Sequence, residues 1–330
     1  MDRMFLEFAV TAAVTFGLTV LLTRWFIPYL KSKKVGQKIL EIGPRWHKSK
    51  DGTPTMGGVA FILAALITTV GIAFYSFLFS DSSKLKGLAL TLALATVNGL
   101  IGFVDDRCKL LKKQNEGLKA YQKFALQLVA AMGYLFALNK VGYTETSLRI
   151  PFTQIDLELG FLYYIVAIFL ITGVVNAVNL TDGIDGLASG VTAVVGTFFA
   201  ISAFASMETS IIFASALIIG ATLGFLVYNF NPARIFMGDT GSLFLGGMVV
   251  GCAFMLGEPL VILICGFIYI LEAFSVIIQV GVYKLTHGKR VFKMAPIHHH
   301  FEKCGWSERK VFAVFCSVTA VASVVAWFAL

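Results

Sequence analysis

One stretch decides how this chain folds: Asn176-Ala-Val-Asn-Leu-Thr-Asp-Gly-Ile-Asp-Gly-Leu187. It separates two long apolar runs, yet it contains two aspartates and two asparagines. If its first part is helical, Asn176, Asn179 and Asp182 recur every third residue and share one face. Ionisable groups at membrane depth are costly unless they face a cavity or a partner, so the pattern predicts a functional site. The alternative is a polar turn between two helices, in which the two glycines free the backbone.

The composition is that of an integral membrane protein. Of 330 residues, 57% are hydrophobic and 14% are charged, whereas soluble domains average about 25% charged residues. A net charge of +8 could suggest a nucleic-acid partner. The basic residues lie in loops beside apolar runs, however, where membrane topology and anionic lipid headgroups explain them better. The five cysteines show no C-x-x-C pair and no metal-ligand spacing, so we interpret them as packing residues or incidental thiols.

Ten apolar runs approach the length of about 20 residues that a membrane-spanning helix needs. They predict an all-α, polytopic integral membrane protein that forms a single domain over residues 1–330. The run at 242–256 is the shortest. The ten runs are 5–30, 58–79, 85–104, 121–138, 159–178, 184–205, 210–228, 242–256, 260–283 and 311–330.

The distribution of Lys and Arg predicts the orientation of the chain. Twenty of these residues fall in one set of alternate loops and five in the other. The positive-inside rule therefore places the first set in the cytoplasm and both termini on the outer side. Every polar cluster then lies on the cytoplasmic face. The outer segment 139–157 is mixed, and its alternation around Leu148–Phe152 predicts a small hairpin.

Asp105 and Asp106 end the third apolar run. Adjacent helical residues point about 100° apart, so this pair alone cannot chelate a cation unless the helix frays. Two carboxylates this close repel each other unless a cation neutralises them, and Mg2+ together with substrate phosphates would do so. The alternative is an acidic helix flank that is solvated at the membrane surface, with Arg107 as its partner.

A second acidic segment joins the seventh and eighth runs: Asn229-Phe-Asn-Pro-Ala-Arg-Ile-Phe-Met-Gly-Asp-Thr-Gly-Ser242. Asp239 is a hard oxygen ligand, and the glycines near it would let a phosphate approach the backbone. Thr240 or Ser242 is expected to cap the next helix, whose N-terminus favours anions. A glycine-rich turn with an N-cap would explain the last three residues, but it would leave Asn229, Asn231 and Asp239 together unexplained.

Two further polar segments adjoin apolar runs. The segment Pro296-Ile-His-His-His-Phe-Glu302 is not an H-E-x-x-H motif, and three consecutive imidazoles diverge too far on a helix to ligate one zinc. Phosphate or sugar recognition fits them better. In Lys50-Asp-Gly-Thr-Pro-Thr-Met-Gly-Gly58, Thr-Pro would start a helix and Lys50 could reach a diphosphate. Plain alternatives are a solvated basic loop and a helix-start loop with an interfacial lysine.

Together these segments resemble one family, the phospho-N-acetylmuramoyl-pentapeptide-transferases of bacterial cell-wall synthesis. The resemblance extends from about Lys50 to Glu302. The aspartate motifs are shared with the wider superfamily of polyprenyl-phosphate N-acetylhexosamine-1-phosphate transferases, whereas segments 52–58 and 295–302 look specific to the muramoyl-pentapeptide branch. The motifs are G-T-P-T-M-G-G (52–58), F-V-D-D (103–106), N-A-V-N-L-T-D-G-I-D-G-L (176–187), N-F-N-P-A (229–233) with F-M-G-D-T-G-S (236–242), and A-P-I-H-H-H-F-E (295–302).

The resemblance implies a reaction in which UDP-N-acetylmuramoyl-pentapeptide and undecaprenyl phosphate give lipid I and UMP. It implies Mg2+ as cofactor, the bacterial cytoplasmic membrane as location and a homodimer. It assigns Asp239 to the metal, and Asp105 with Asp106 to activating the lipid phosphate. The residues that it implies for the nucleotide-sugar site are Lys50, Thr55, Asn176, Asn179, Asp182, Asp185, Asn229, Phe236, His298, His299 and His300.

Two other functions are open from the sequence. A sister enzyme would transfer N-acetylglucosamine-1-phosphate from its UDP-sugar to the same lipid. A transporter or lipid flippase also combines many spans with intramembrane acids. Secondary transporters tend to have related halves and a site near the bilayer midplane, whereas here the acids cluster at one rim and the two halves do not match.

Overall fold

The computed structural model describes residues 2–33, 50, 52–79, 85–112, 117–143 and 146–330. Much of the basic segment from which the orientation was predicted, residues 34–49, lies outside the described residues. The described elements are α1 (Asp2–Ser32), α2 (Gly58–Phe79), α3 (Lys86–Lys112), α4 (Ala120–Lys140), β1 (Ser147–Arg149), β2 (Asp156–Glu158), α5 (Phe161–Thr181), α6 (Leu187–Ser206), α7 (Thr209–Asn229), α8 (Gly238–Met255), α9 (Ile262–Cys265), α10 (Phe267–Leu285), α11 (Ile297–Lys303) and α12 (Glu308–Trp327).

Nine helices in the described part of the chain are long and apolar enough to cross a membrane: α1, α2, α3, α5, α6, α7, α8, α10 and α12. The prediction of a mostly helical, polytopic protein is confirmed. The predicted tenth span, α4, is a 21-residue helix that is not among the nine, because Gln122, Lys123 and Gln127 interrupt its apolar sequence. Length and composition thus support nine of the ten predicted spans within the described residues, and α4 as a further span stays a prediction.

Several predicted helix boundaries differ from the structure. Helix α3 continues past the predicted end to Lys112, so Asp105 and Asp106 lie inside the helix. Helix α8 begins at Gly238 rather than at residue 242, which places Asp239 in its first turn. The run 260–283 is divided at Gly266 into α9 and α10. Helix α2, by contrast, has the predicted bounds, Gly58–Phe79, and Thr53-Pro54 lie ahead of it.

The predicted small hairpin is confirmed, while its place on the outer side stays a prediction. Strands β1 and β2 pair antiparallel, with Leu148 opposite Leu157. Arg149 at the end of β1 pairs with Asp156 at 3.3 Å and with Glu258 at 2.9 Å. The hairpin is thus the one addition that the described residues make to an otherwise helical architecture.

Helix α8 is the central helix of the fold. In its apolar span 89% of the residues are buried, against 17% in α1, so protein rather than lipid surrounds α8. Small residues allow this close packing. A side-chain carbon at Gly247 would lie 2.6 Å from the Cα atom of Ala95 in α3, and one at Gly102 of α3 would lie 2.6 Å from the backbone N of Thr240. The approach at Gly102 fixes the end of α3 against the start of α8.

We expect Gly102→Ala to lower the free energy of unfolding by roughly 1–3 kcal/mol, because the added methyl group overlaps the backbone at the start of α8. Unfolding of the detergent-solubilised protein measures the effect. The matched control is Gly71→Ala in α2, where nothing lies within 4 Å of an added carbon. The control should stabilise by up to about 1 kcal/mol through helix propensity. Equal stabilities of the two variants would contradict the tight approach of α3 to α8.

Candidate active site

Three carboxylates from two helices form one cluster. Asp105 and Asp106 come from α3 and Asp239 from α8, and one oxygen of each lies within 4.8 Å of the others. Asp105 and Asp106 are 3% and 4% exposed, while the Asp239 side chain is 19% exposed. The alternative of a solvated acidic flank paired with Arg107 is wrong, because both carboxylates are buried and their cationic partner is Lys109.

Asp106 caps the N-terminus of α8. Its carboxylate accepts hydrogen bonds from the backbone N of Asp239 at 3.2 Å and of Thr240 at 3.0 Å, and from the Thr240 hydroxyl at 2.7 Å. The first helical turn leaves such N–H groups without an intrahelical partner, and the helix dipole favours an anion there. The expectation that Thr240 or Ser242 caps α8 is therefore wrong, since a carboxylate from another helix does so.

Two lysines offset the charge of the cluster. The ammonium group of Lys109 lies 2.7 Å from Asp105, 3.7 Å from Asp106 and 3.0 Å from Asp239. The ammonium group of Lys123, which α4 contributes, lies 2.8 Å from Asp239. Three carboxylates facing two ammonium groups leave a negative balance, so the cluster retains an attraction for a further cation.

The polar stretch at the end of α5 joins the cluster as its periodicity predicts. The Asn179 amide donates to Asp239 at 3.0 Å and to the Ser242 hydroxyl at 2.8 Å. One turn earlier, Asn176 donates to Gln127 of α4 at 2.8 Å. Asn179 therefore orients the accessible carboxylate of the cluster, while Asn176 ties α5 to α4.

Asp182 and Asp185 follow α5 and have opposite surroundings. Burial, and then the negative charges of Asp239 and Asp106, raise the pKa of the Asp182 carboxyl well above its ordinary value. Asp185 is 2% exposed, and the ammonium group of Lys50 lies 2.6 Å from it. A cation near Asp182 would relieve repulsion, whereas Asp185 already has a cationic partner.

Lys50 connects this turn to the start of α12. Its ammonium group also lies 2.6 Å from Glu308, and Glu308 accepts a hydrogen bond from the backbone N of Asp185 at 3.1 Å. A diphosphate at Lys50 would have to compete with both carboxylates. The contact of Lys50 with a diphosphate thus stays a prediction.

Asn229 supports the loop between α7 and α8. Its side chain is buried, donates to the carbonyl oxygen of Ile235 at 2.9 Å and accepts from the Ser189 hydroxyl at 3.2 Å. Both ends of the amide are therefore engaged within the protein. Its assignment to the nucleotide-sugar site stays a prediction.

The segment 52–58 packs on the same loop through its backbone. The backbone N of Phe236 donates to the carbonyl oxygen of Pro54 at 2.8 Å. The backbone N of Gly57 in turn donates to the carbonyl oxygen of Phe236, also at 2.8 Å. A side-chain carbon at Gly238 would lie 3.1 Å from the Thr55 hydroxyl. Thr55 and Phe236 thus come from neighbouring segments beside the start of α8.

The three histidines lie on the short helix α11 and not in a loop. The Nδ1 atom of His298 lies 3.0 Å from the Glu272 carboxylate, and that of His299 lies 2.7 Å from the Glu302 carboxylate. The Nδ1 atom of His300 accepts a hydrogen bond from the backbone N of Lys293 at 3.1 Å. The three rings have three different partners, as expected for imidazoles that diverge. His298 is fully buried, and any side chain at Gly183 would collide with its ring. This contact brings α11 against the turn after α5.

Four residues of the site carry no functional prediction from the sequence: Lys109, Lys123, Glu272 and Glu308. Lys109 follows Asp105 by four positions and Asp106 by three, so helical spacing is a signal that identifies it. The other three reach the site through contacts between helices, for which a single sequence contains no local signal.

Comparisons with known proteins agree with this geometry. The model of glycosyl transferase family 4 matches residues 88–257, a range that contains all three carboxylates. The first signature of the phospho-N-acetylmuramoyl-pentapeptide-transferases matches residues 50–62. The fold and the site thus define a polytopic membrane protein of the family 4 glycosyl transferase class.

Curated relatives of this chain identify one family within that class. Phospho-N-acetylmuramoyl-pentapeptide-transferases from Bacillus mycoides (strain KBAB4) and Bacillus thuringiensis (strain Al Hakam) are 45% and 44% identical to this chain over 310 residues. Each alignment covers 94% of this chain and 93% of the relative. The chain belongs to the phospho-N-acetylmuramoyl-pentapeptide-transferase family. The resemblance that the motifs indicated is confirmed, and the transporter alternative gains no support from these relatives.

We expect Asp182→Asn to raise the thermal stability of the detergent-solubilised protein, and the gain to grow as the pH rises. Folding raises the pKa of the Asp182 carboxyl, so the folded wild-type protein is most stable when this group is protonated. That contribution to the free energy of unfolding is fully present below the unfolded pKa of about 4, and it is lost as the pH rises through the folded pKa. Melting curves between pH 5 and pH 8, roughly the range in which most proteins are stable, measure the trend.

The matched comparison is Asp185→Asn, three positions away. This change removes an ionic partner of Lys50, so we expect a loss of roughly 1–3 kcal/mol in the free energy of unfolding. A gain for Asp185→Asn, or a gain for Asp182→Asn that shrinks with rising pH, would contradict the assignment of opposite surroundings.

Proposed function

We propose that the chain transfers phospho-N-acetylmuramoyl-pentapeptide from its UDP-linked donor to undecaprenyl phosphate, giving lipid I and UMP. This is the first membrane step of peptidoglycan synthesis, and we place it at the cytoplasmic face of the bacterial inner membrane. The observation that carries the proposal is the cluster of three carboxylates from α3 and α8, in a chain whose relatives over 94% of its length are phospho-N-acetylmuramoyl-pentapeptide-transferases.

The position of the cluster at helix ends supports this function. It lies about two turns before the end of α3, beside the end of α5 and at the start of α8, as a site at a rim of the membrane requires. The proposed donor is water-soluble and the acceptor is a lipid, so the two can meet only at such a rim. The excess of Lys and Arg in one set of loops supports the cytoplasmic side.

The donor set of the cluster fits Mg2+. This hard cation takes oxygen ligands and typically uses one or two carboxylates together with waters and substrate phosphates. Asp239 presents the most exposed carboxylate of the three, oriented by Asn179, and we propose it as the ligand. Asp105 and Asp106 lie next to Asp239 and are more deeply buried. When bound, Mg2+ would neutralise charge on the diphosphate and on the departing UMP.

The residues of the chain supply positioning and charge. Lys109 and Lys123 hold ammonium groups within 3.0 Å of Asp239, where they are within reach of phosphates bound at that carboxylate. Asp105 accepts a hydrogen bond from the backbone N of Leu118 at 2.8 Å and pairs with Lys109. We therefore propose that Asp105 orients the lysine and the loop at 117–119, while activation of the lipid phosphate by Asp105 and Asp106 stays a prediction.

Direct attack by the lipid phosphate is the route that we favour over a phospho-aspartyl intermediate. A phosphate monoester already carries negative charge near pH 7, so in-line positioning and charge neutralisation matter more than a general base. The carboxylates of Asp105 and Asp106 are also engaged by hydrogen bonds and Lys109, which makes them less available as nucleophiles.

The nucleotide sugar is proposed to lie between the turn after α5, the segment 52–58 and α11. Asp185 and Asn229 are buried and already bonded to other residues of the protein, so they would support the walls of this site without contacting the substrate. The fully buried His298 would support the site in the same way. A homodimer, which the family resemblance implies, remains part of the proposal. The residues proposed to face the substrate are Lys50, Thr55, Asn176, Asn179, Asp182, Phe236, His299 and His300.

We expect Asp239→Asn to lower Mg2+-dependent turnover by about 100-fold or more, because a neutral amide replaces the proposed metal ligand. UMP release by purified protein in detergent measures turnover, and a melting curve verifies folding. Asp156→Asn in the outer hairpin is the control and should keep the wild-type rate. A near-normal rate for Asp239→Asn would remove this residue from the metal site.

The donor specificity separates the proposed function from the sister reaction. We expect a lipid-linked product from undecaprenyl phosphate with UDP-N-acetylmuramoyl-pentapeptide and none with UDP-N-acetylglucosamine. Thin-layer separation of the radiolabelled lipid products compares the two donors under the same conditions. A product from UDP-N-acetylglucosamine alone would overturn the choice of substrate.

A further inference from the structure

Lys109 touches every carboxylate of the cluster. Its ammonium group lies 2.7, 3.7 and 3.0 Å from the nearest oxygens of Asp105, Asp106 and Asp239. Lys109 also belongs to α3, one turn beyond the two aspartates. Lys123 differs, because it comes from α4 and pairs with Asp239 at 2.8 Å.

A metal ion bound to Asp239 within this cluster would need the space that the Lys109 ammonium group fills. Mg2+ binds oxygen at about 2.1 Å, so two oxygens on one ion lie at most about 4.2 Å apart. The carboxylate oxygens of the cluster lie within 4.8 Å of one another, a spacing close to that limit. The Lys109 ammonium group already lies within 3.7 Å of an oxygen of each carboxylate, so it opposes the ion both sterically and by repulsion between like charges.

We propose that Lys109 is a built-in counter-cation that a divalent metal must displace, an inference that rests on the proposed function of the cluster. The lysine side chain is 32% exposed, and its flexible four-carbon stem allows the ammonium group to swing toward solvent. The exchange keeps a positive charge beside the buried carboxylates at each stage. It also frees one positive charge beside the metal, where the substrate phosphates bring negative charge.

The first test measures binding of Mg2+ alone, without nucleotide, to purified wild-type and variant protein by titration calorimetry. We expect Lys109→Met to bind Mg2+ at least about tenfold more tightly, because the competing cation is gone. Lys123→Met should show a smaller gain, and Lys119→Met, a change at an exposed lysine, none. A gain for Lys123→Met that equals or exceeds that of Lys109→Met would overturn the proposal in favour of a general charge effect.

The second test needs no variant and follows acylation of individual lysines in the wild-type protein by mass spectrometry. We expect Mg2+ to accelerate labelling of Lys109 several-fold relative to Lys119, which serves as the internal reference. Binding of Mg2+ with unchanged labelling of Lys109 would overturn the exchange alone and leave the proposed function intact. Absence of Mg2+ binding in both wild type and Lys109→Met would overturn the exchange together with the proposed metal site.

Discussion

The hydrogen bonding of the Asp106 carboxylate to the first turn of α8 is the interaction on which the rest of the site depends. A buried carboxylate is costly unless charged or polar partners satisfy it. Here the backbone N–H groups of Asp239 and Thr240 do so, and hydrogen bonds to a charged group contribute about 1.5–3 kcal/mol each. Because Gly102 lets the helices approach, the same contact sets Asp239 beside Asp105.

The site balances two opposing demands. Bringing three carboxylates within 4.8 Å of one another creates repulsion that burial strengthens, and Lys109 and Lys123 supply only part of the compensation. The remaining negative charge would attract a metal cation, and that cation would in turn offset the repulsion between the carboxylates and the phosphates of the two substrates. Asp182 feels the same negative charge from outside the cluster. Such a cluster is an unfavourable arrangement for the protein alone, and the proposed metal and substrate would make it favourable.

The sequence predicts much of the fold but little of how the site is held together. Apolar length and hydropathy locate the spans because they depend on local composition, and the polar motifs identify the three carboxylates for the same reason. Helix ends are less predictable. Helix α8 starts at Gly238 because Asp106, 133 positions before Asp239, accepts its first N–H groups. Lys109 replaces Arg107 as the partner of the acids for a similar reason, since only the packed helices show which face is enclosed.

We propose that the carboxylates of α3 and α8 together form one metal site, at which the donor diphosphate binds. Anomalous diffraction from crystals grown with Mn2+ and UMP is the sharpest test, because manganese replaces Mg2+ at oxygen sites and its position is recorded independently of the protein. We expect one manganese peak in contact with Asp239 and near Asp105, with the UMP phosphate beside it. A peak at another group of residues, or UMP bound away from the cluster, would contradict the proposal.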